Sequence, residues 1–211
     1  MSQNPQEIVI KTSIFGDICS GKTSIVERYI NDSRPTRYRD GPLVQMYEKI
    51  IEKENWEISF KIWDTNGSPG NKPMLRQYYT GLDGIFLVYD ILNKESFINM
   101  QEWYRDIKEN KKDIENLVLV LIGNKCDKEK ERKVEYSEGE DFAEKNNMHF
   151  VEVSCETNKN INECFEYLIN ECIIRKAISE NEDKNETVEE PTNKKKNKKK
   201  SKLTLCIAQL R

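Results

Sequence analysis

The sequence has one histidine in 211 residues, His149, and its six cysteines (Cys19, Cys126, Cys155, Cys164, Cys172, Cys206) show no C-x-x-C spacing. A zinc site built from cysteine and histidine is thereby excluded, and the scattered thiols read as reduced cysteines rather than as a disulfide frame. No apolar run approaches the roughly 20 residues that a membrane-spanning helix needs. The start, MSQNPQEIVIK, lacks the charged and apolar regions of a signal peptide, so a cytoplasmic protein is expected. Hydrophobic residues make up 36%, short of the roughly 45–50% of an average domain, while charged residues reach 34%. Some of the chain is therefore expected to stay unfolded, and the length allows one compact domain of roughly 150 residues plus an excess.

Basic charge is missing from most of the chain as well. Beyond residue 179 nine basic residues face six acidic ones, which leaves residues 1–179 with 25 basic and 31 acidic, a net −6. Such a body offers a phosphate backbone no basic face, so nucleic acid is not an expected partner.

What is present is an alternation. EIVIKTSIF (7–15) is β-branched and apolar, and it runs into GDICSGKTS; TSIVERYIN then spaces Ile25, Val26, Tyr29 and Ile30 as one helical face. VQMYEKIIEKE and WEISFKIWD read as a hairpin turning at Glu54-Asn55. TNGSPGNKPMLRQYYTG, with three Gly and two Pro, reads as a loop with at most a short helix. GIFLVYDI and LVLVLIG are uninterrupted apolar runs, the pattern of strands buried on both faces. Between and after them come an amphipathic helix (94–110), a shorter helix SEGEDFAEKNN, a strand HFVEV, and a last helix with Ile161, Cys164, Phe165, Leu168 and Cys172 on one stripe. The expected fold is one α/β domain, 1–179, with a six-stranded, mostly parallel sheet covered by helices on both faces, as in P-loop proteins. Residues 180–211, rich in Glu, Asn and Lys, are expected to form a disordered lysine-rich tail.

Gly16, Asp17, Ile18, Cys19, Ser20, Gly21, Lys22 and Thr23 fit G-x-x-x-x-G-K-[ST] between a predicted strand and a predicted helix, with Ser24 following. The spacing lets backbone N–H groups curl around phosphates at a helix N-terminus. Lys22 neutralises the β and γ phosphates, and Thr23 gives its hydroxyl to Mg2+. Asp64, at a strand end, can reach the same Mg2+ through water, and Gly67 can offer its N–H to a γ-phosphate. Asn124-Lys125-Cys126-Asp127 follows directly on LVLVLIG. The Asp127 carboxylate can accept both the N1 and the 2-amino hydrogens of guanine, which adenine lacks.

In this order and spacing the three motifs resemble the small GTPases of the Ras superfamily, and within it the Rab family. The second step rests on Phe60-Lys61-Ile62-Trp63-Asp64-Thr65, Tyr78-Tyr79-Thr80-Gly81 and Leu87-Val88-Tyr89-Asp90-Ile91. The resemblance implies a GTP/GDP-binding switch in vesicle transport that uses Mg2+ and works as a monomer with effectors, exchange factors and GTPase-activating proteins. It also implies that Ser154-Cys155-Glu156 lies in the loop touching the guanine oxygen, with Cys155 and Glu156 departing from the family's Ala and Lys. Met46, Trp63 and Tyr78 fall on the family's effector patch, although Trp63 also reads as plain core.

The departures gather where the third phosphate would sit. The family's switch I threonine falls on Gly41, with Thr36 five residues away, and the aromatic that covers the purine falls on Arg34. The catalytic glutamine, which orients the attacking water, is replaced by Ser68, followed by Pro69, and a usually small loop position is Ile18. Binding is therefore expected to be intact, with Lys22 serving both binding and catalysis, while hydrolysis is expected to be slow. A nucleotide-stabilised module that no longer cycles stands as the alternative. Lys194–Lys202 holds seven lysines in nine residues, a stretch suited to an anionic membrane, to simple solvation or to nuclear targeting. Cys206, five residues from the end, departs from the usual prenylated ending but remains the candidate for lipidation.

Overall fold

The computed structural model describes residues 6–33, 41–53, 56–111 and 113–186. Its six strands are β1 (Gln6–Gly16), β2 (Val44–Lys53), β3 (Trp56–Thr65), β4 (Gly84–Asp90), β5 (Val118–Asn124) and β6 (His149–Val153). They form one sheet in the order β2-β3-β1-β4-β5-β6, antiparallel only between β2 and β3. β4 and β5 are buried at every position, as their unbroken apolar runs imply. Glu54-Asn55 lie outside the described residues, but Lys53 and Trp56 on either side are paired, so the link between β2 and β3 is short.

One face of the sheet packs on α1 (Lys22–Asn31) and α5 (Ile161–Glu186) around Phe165. The Phe165 ring stacks on Tyr29 at 3.8 Å and tilts against Phe86 at 4.8 Å, and the stripe from Ile161 to Cys172 is fully inside. The other face packs on α3 (Lys94–Asn110) and α4 (Tyr136–Lys145) with the short α2 (Lys72–Leu75). There Trp103 is entirely buried and stacks on Phe15 at 5.9 Å. α3 starts where the sequence places it because Asn93 Oδ1 accepts the Glu95 N–H at 3.1 Å, which supplies one of the partners that a first helical turn lacks. α5 continues to Glu186, seven residues beyond the expected end of the domain at 179. The remainder of the tail, with Lys194–Lys202 and Cys206, lies outside the described residues. None of the described helices is long and apolar enough to cross a membrane.

The topology decides where chemistry can sit. β1, β3, β4, β5 and β6 run parallel, so their carboxyl ends, and the loops that follow them, share one edge. Register sets the neighbours on that edge: Ile14 beside Asp64, Asp90 beside Asn124, and Asn124 beside Val153. Open parallel sheets take ligands along such an edge.

Candidate functional site

The loop from Gly16 to Gly21 joins β1 to α1, and Lys22 opens the helix. The Lys22 side chain is folded inward, with Nζ donating to the Asp17 carbonyl at 2.7 Å; the residue is only 4% exposed. Burial pushes its pKa down to about 8, against the pull of Asp64 and Asp17. A buried ammonium with too little counter-charge is a place where an arriving anion gains more than it would in water. The Asp17 carbonyl also accepts the Ser20 Oγ hydrogen at 2.9 Å, which closes the loop into a cup. Gly67 lies directly over the lysine. With φ +73, a Cβ there would fall 2.3 Å from Lys22 Nζ and 2.5 Å from the Gly16 carbonyl, so only glycine fits.

Beside the cup stands a pair of hard oxygens. Thr23 Oγ1 donates to Asp64 Oδ2 at 2.6 Å, while Asp64 Oδ1 is buried with no hydrogen-bond partner. Burial pushes the Asp64 carboxyl up to about 6, although the Thr23 bond and Lys22 oppose it. An orphaned carboxylate oxygen next to a hydroxyl suits a small divalent cation that prefers oxygen ligands. Among the described residues no group of three or more His, Cys, Asp and Glu converges on a metal, so phosphate oxygens and water would complete such a shell.

The second half of the edge is built from the loops after β5 and β6. Asn124 Nδ2 donates to the Ser20 carbonyl at 2.9 Å, and Asn124 Oδ1 accepts the Lys125 N–H at 2.8 Å. Lys125 sits in the left-handed region at φ +70 and reaches back, its Nζ donating to Asp90 Oδ2 at 2.6 Å and to the Cys19 carbonyl at 3.2 Å. Asp127 Oδ1 accepts from Ser154 Oγ at 2.6 Å, so the loops after β5 and β6 are joined. Cys155 is buried and its thiol leans on Asn124 Oδ1 at 3.6 Å, with burial pushing its pKa up to about 12. The Glu156 carbonyl accepts from Arg28 Nη2 at 3.3 Å. Ser24 is half-buried in the first turn of α1.

The divergent positions occupy the outer rim. Ile18 is 45% exposed at the loop's crest and Cys19 beside it is also exposed. Gly41 is exposed, while Arg34 and Thr36 lie outside the described residues. The Ser68 N–H donates to Asn66 Oδ1 at 3.1 Å, and the Asn66 N–H donates to the Leu43 carbonyl at 3.1 Å, which ties the segment after β3 to the one before β2. Arg76 and Tyr79 both bond Asp106 of α3, at 2.6 and 2.9 Å, and hold the end of the second segment on the body. Met46 is 49% exposed and is paired across the strands with Trp63. Trp63 and Tyr78 are half-buried and pack on the α3-side core, so Trp63 serves the core and still presents an edge. His149 stacks on Tyr167 at 3.7 Å, and burial lowers its pKa, a packing role.

Sequence reasoning passed over three participants: Asp90, the Cys155 side chain, and Asn99, whose Nδ2 donates to Asp17 Oδ2 at 2.9 Å. Only Asp90 carried a signal, as the acid that ends an otherwise apolar strand.

The chain also matches known proteins. Residues 11–174 match the Ras family model. The chain is 33% identical to the GTP-binding protein ypt2 of Schizosaccharomyces pombe over 186 residues, covering 88% of this chain and 92% of that one. It is 33% identical to the Ras-related protein Rab-13 of Rattus norvegicus, over 79% of this chain and 81% of that one. With the Ras-related protein Rab-3 of Caenorhabditis elegans the identity is 34%, over 85% and 80%.

Proposed function

We propose, for a chain that belongs to the Ras family and its Rab branch, a guanine-nucleotide switch whose binding half is complete and whose hydrolytic half is weakened. The protein is a Rab-like small GTPase of vesicle trafficking: it binds GTP and GDP and hydrolyses GTP to GDP and phosphate. Membership in that family does not favour the non-cycling alternative, and it brings regulators and effectors as partner types.

The assignment of residues is our reading. The cup from Gly16 to Ser24 takes the phosphates, with Lys22 against the β and γ groups and the Gly67 N–H on the γ group. Thr23 and Asp64 would hold Mg2+, which neutralises charge developing on the phosphates when bound. Asn124, Lys125 and Asp127, with Ser154, Cys155 and Glu156, take the base. The observation that carries this reading is the 2.9 Å bond from Asn124 Nδ2 to the Ser20 carbonyl, which locks the phosphate loop to the base loop. A ligand holding both loops must carry phosphate at one end and a purine at the other. Calorimetry on nucleotide-free protein with magnesium tests it: GDP should bind at least about 100-fold more tightly than ADP, since two bonds to a charged acid are at stake. Equal affinities would reject it.

Slow turnover follows from the rim. Ser68 is too short to hold a water where the family glutamine holds it, and Ile18 stands where an incoming arginine finger must pass. In single-turnover assays Ser68→Gln should raise the hydrolysis rate by about tenfold, short of the roughly 10²- to 10⁴-fold of a fully positioned group because Ile18 remains. An unchanged rate would remove Ser68 from the account. Met46, Trp63 and Tyr78 form the effector patch in this reading, and the lysine-rich tail, with Cys206 as a lipidation site, brings the protein to a membrane surface.

A further inference from the structure

An acid inside an anion-binding loop is an electrostatic liability, and Asp17 is such an acid. Its carbonyl serves the loop, accepting Lys22 Nζ at 2.7 Å and Ser20 Oγ at 2.9 Å. Its carboxylate is 7% exposed as part of the residue, lies near enough to act on Lys22, and would repel phosphates if it swung into the cup. Two bonds prevent that. Oδ1 accepts the Ile18 N–H at 2.9 Å, and Oδ2 accepts Asn99 Nδ2 at 2.9 Å. The first partner belongs to the loop and moves with it. The second belongs to α3, a 17-residue helix fixed by the buried Phe97, Met100 and Trp103. Asn99 is therefore the contact that references the carboxylate to the rigid body.

We propose that Asn99 is a positioning residue for phosphate binding, acting on Asp17: its amide holds the carboxylate against α3, so that the loop presents carbonyl-bound Lys22 and backbone N–H groups to the nucleotide but not a negative charge. The inference rests on the reading of residues 16–24 as the phosphate cup. Charge distinguishes it from ordinary packing. An alanine at 99 frees the carboxylate, whereas an aspartate keeps the shape of asparagine and sets a second negative charge against the first.

The test is GDP titration by calorimetry on the full chain, freed of nucleotide and supplied with magnesium. Asn99→Ala should weaken GDP about tenfold, the scale of one hydrogen bond to a charged group. Asn99→Asp should weaken it further despite its closer shape. Adding Asp17→Asn to Asn99→Ala should recover most of the loss, because the charge to be restrained is gone. Binding by Asn99→Ala within twofold of the parent overturns the proposal, and so does a double variant no better than Asn99→Ala, or an Asn99→Asp that binds better than Asn99→Ala. A parent chain that binds no GDP at all overturns the reading of the cup, and this proposal falls with it; a parent that binds while Asn99→Ala matches it overturns this proposal alone.

Discussion

Replacing Asp127 with alanine should lower GDP affinity by about 10²- to 10⁴-fold while leaving ADP binding where it was. The size follows from the number of bonds. One carboxylate accepts two guanine hydrogens, and hydrogen bonds to a charged partner contribute roughly 1.5–3 kcal/mol each, about 3–6 kcal/mol together. The structure makes the upper part of that range reachable, since Ser154 Oγ donates to Asp127 Oδ1 at 2.6 Å and fixes the carboxylate before any base arrives. Less ordering is then left to the binding step. Asp127 itself is exposed in the loop after β5, so its removal leaves the core intact and the melting temperature close to the parent's. Calorimetry with GDP and ADP, beside a thermal melt, reads all three quantities. A loss of ADP and GDP binding in equal measure would mean that Asp127 supports the loop and does not read the base.

The residues legible in the sequence were those whose role is written in local spacing. Two unbroken apolar runs declared β4 and β5 as central strands, and the helical stripe over 94–110 declared α3. The proposed phosphate loop is equally plain as a motif, because the chemistry needs glycine, lysine and a hydroxyl within one turn. What stayed hidden was contact across distance. Asp90 meets Lys125, 35 residues on, only because β4 and β5 pair in a register that sets Asp90 beside Asn124. Asn99 meets Asp17 across 82 residues, and nothing in the sequence around it distinguishes one polar residue on α3 from its neighbours. Cys155 reads in the sequence only as a departure from the family's Ala, yet its side chain is buried against Asn124. The helix end was missed for another reason. Polar composition marks residues 180–186 as unable to build a core, but a helix already anchored by Phe165 and Leu168 extends through polar residues, since each added residue gains a backbone hydrogen bond without nucleating anew.

Gly21→Ala should damage the site severely. Gly21 precedes α1 at φ +95 and ψ 21, a backbone conformation that an alanine adopts only under strain of about 1–3 kcal/mol. Space is the second obstacle: an added Cβ would fall 2.1 Å from Asn124 Nδ2. Asn124 cannot give way cheaply, being 2% exposed at the end of a wholly buried strand, with Nδ2 donating to the Ser20 carbonyl and Oδ1 accepting from the Lys125 N–H. Moving it breaks the bond that joins the Gly16–Gly21 loop to the loop after β5 and leaves buried polar groups unpaired, a further cost of about 1–3 kcal/mol. The two penalties together predict a GDP affinity reduced by about 100-fold or more, with a lower melting temperature in the nucleotide-free state. A double-mutant cycle separates strain from collision. In an Asn124→Ala background the methyl at 21 meets open space, so Gly21→Ala should cost only its strain there, and the coupling between the two sites should exceed about 1 kcal/mol. Additive effects would mean that the two loops are not held together through this contact, and the lock on which both halves of the site depend would have to lie elsewhere.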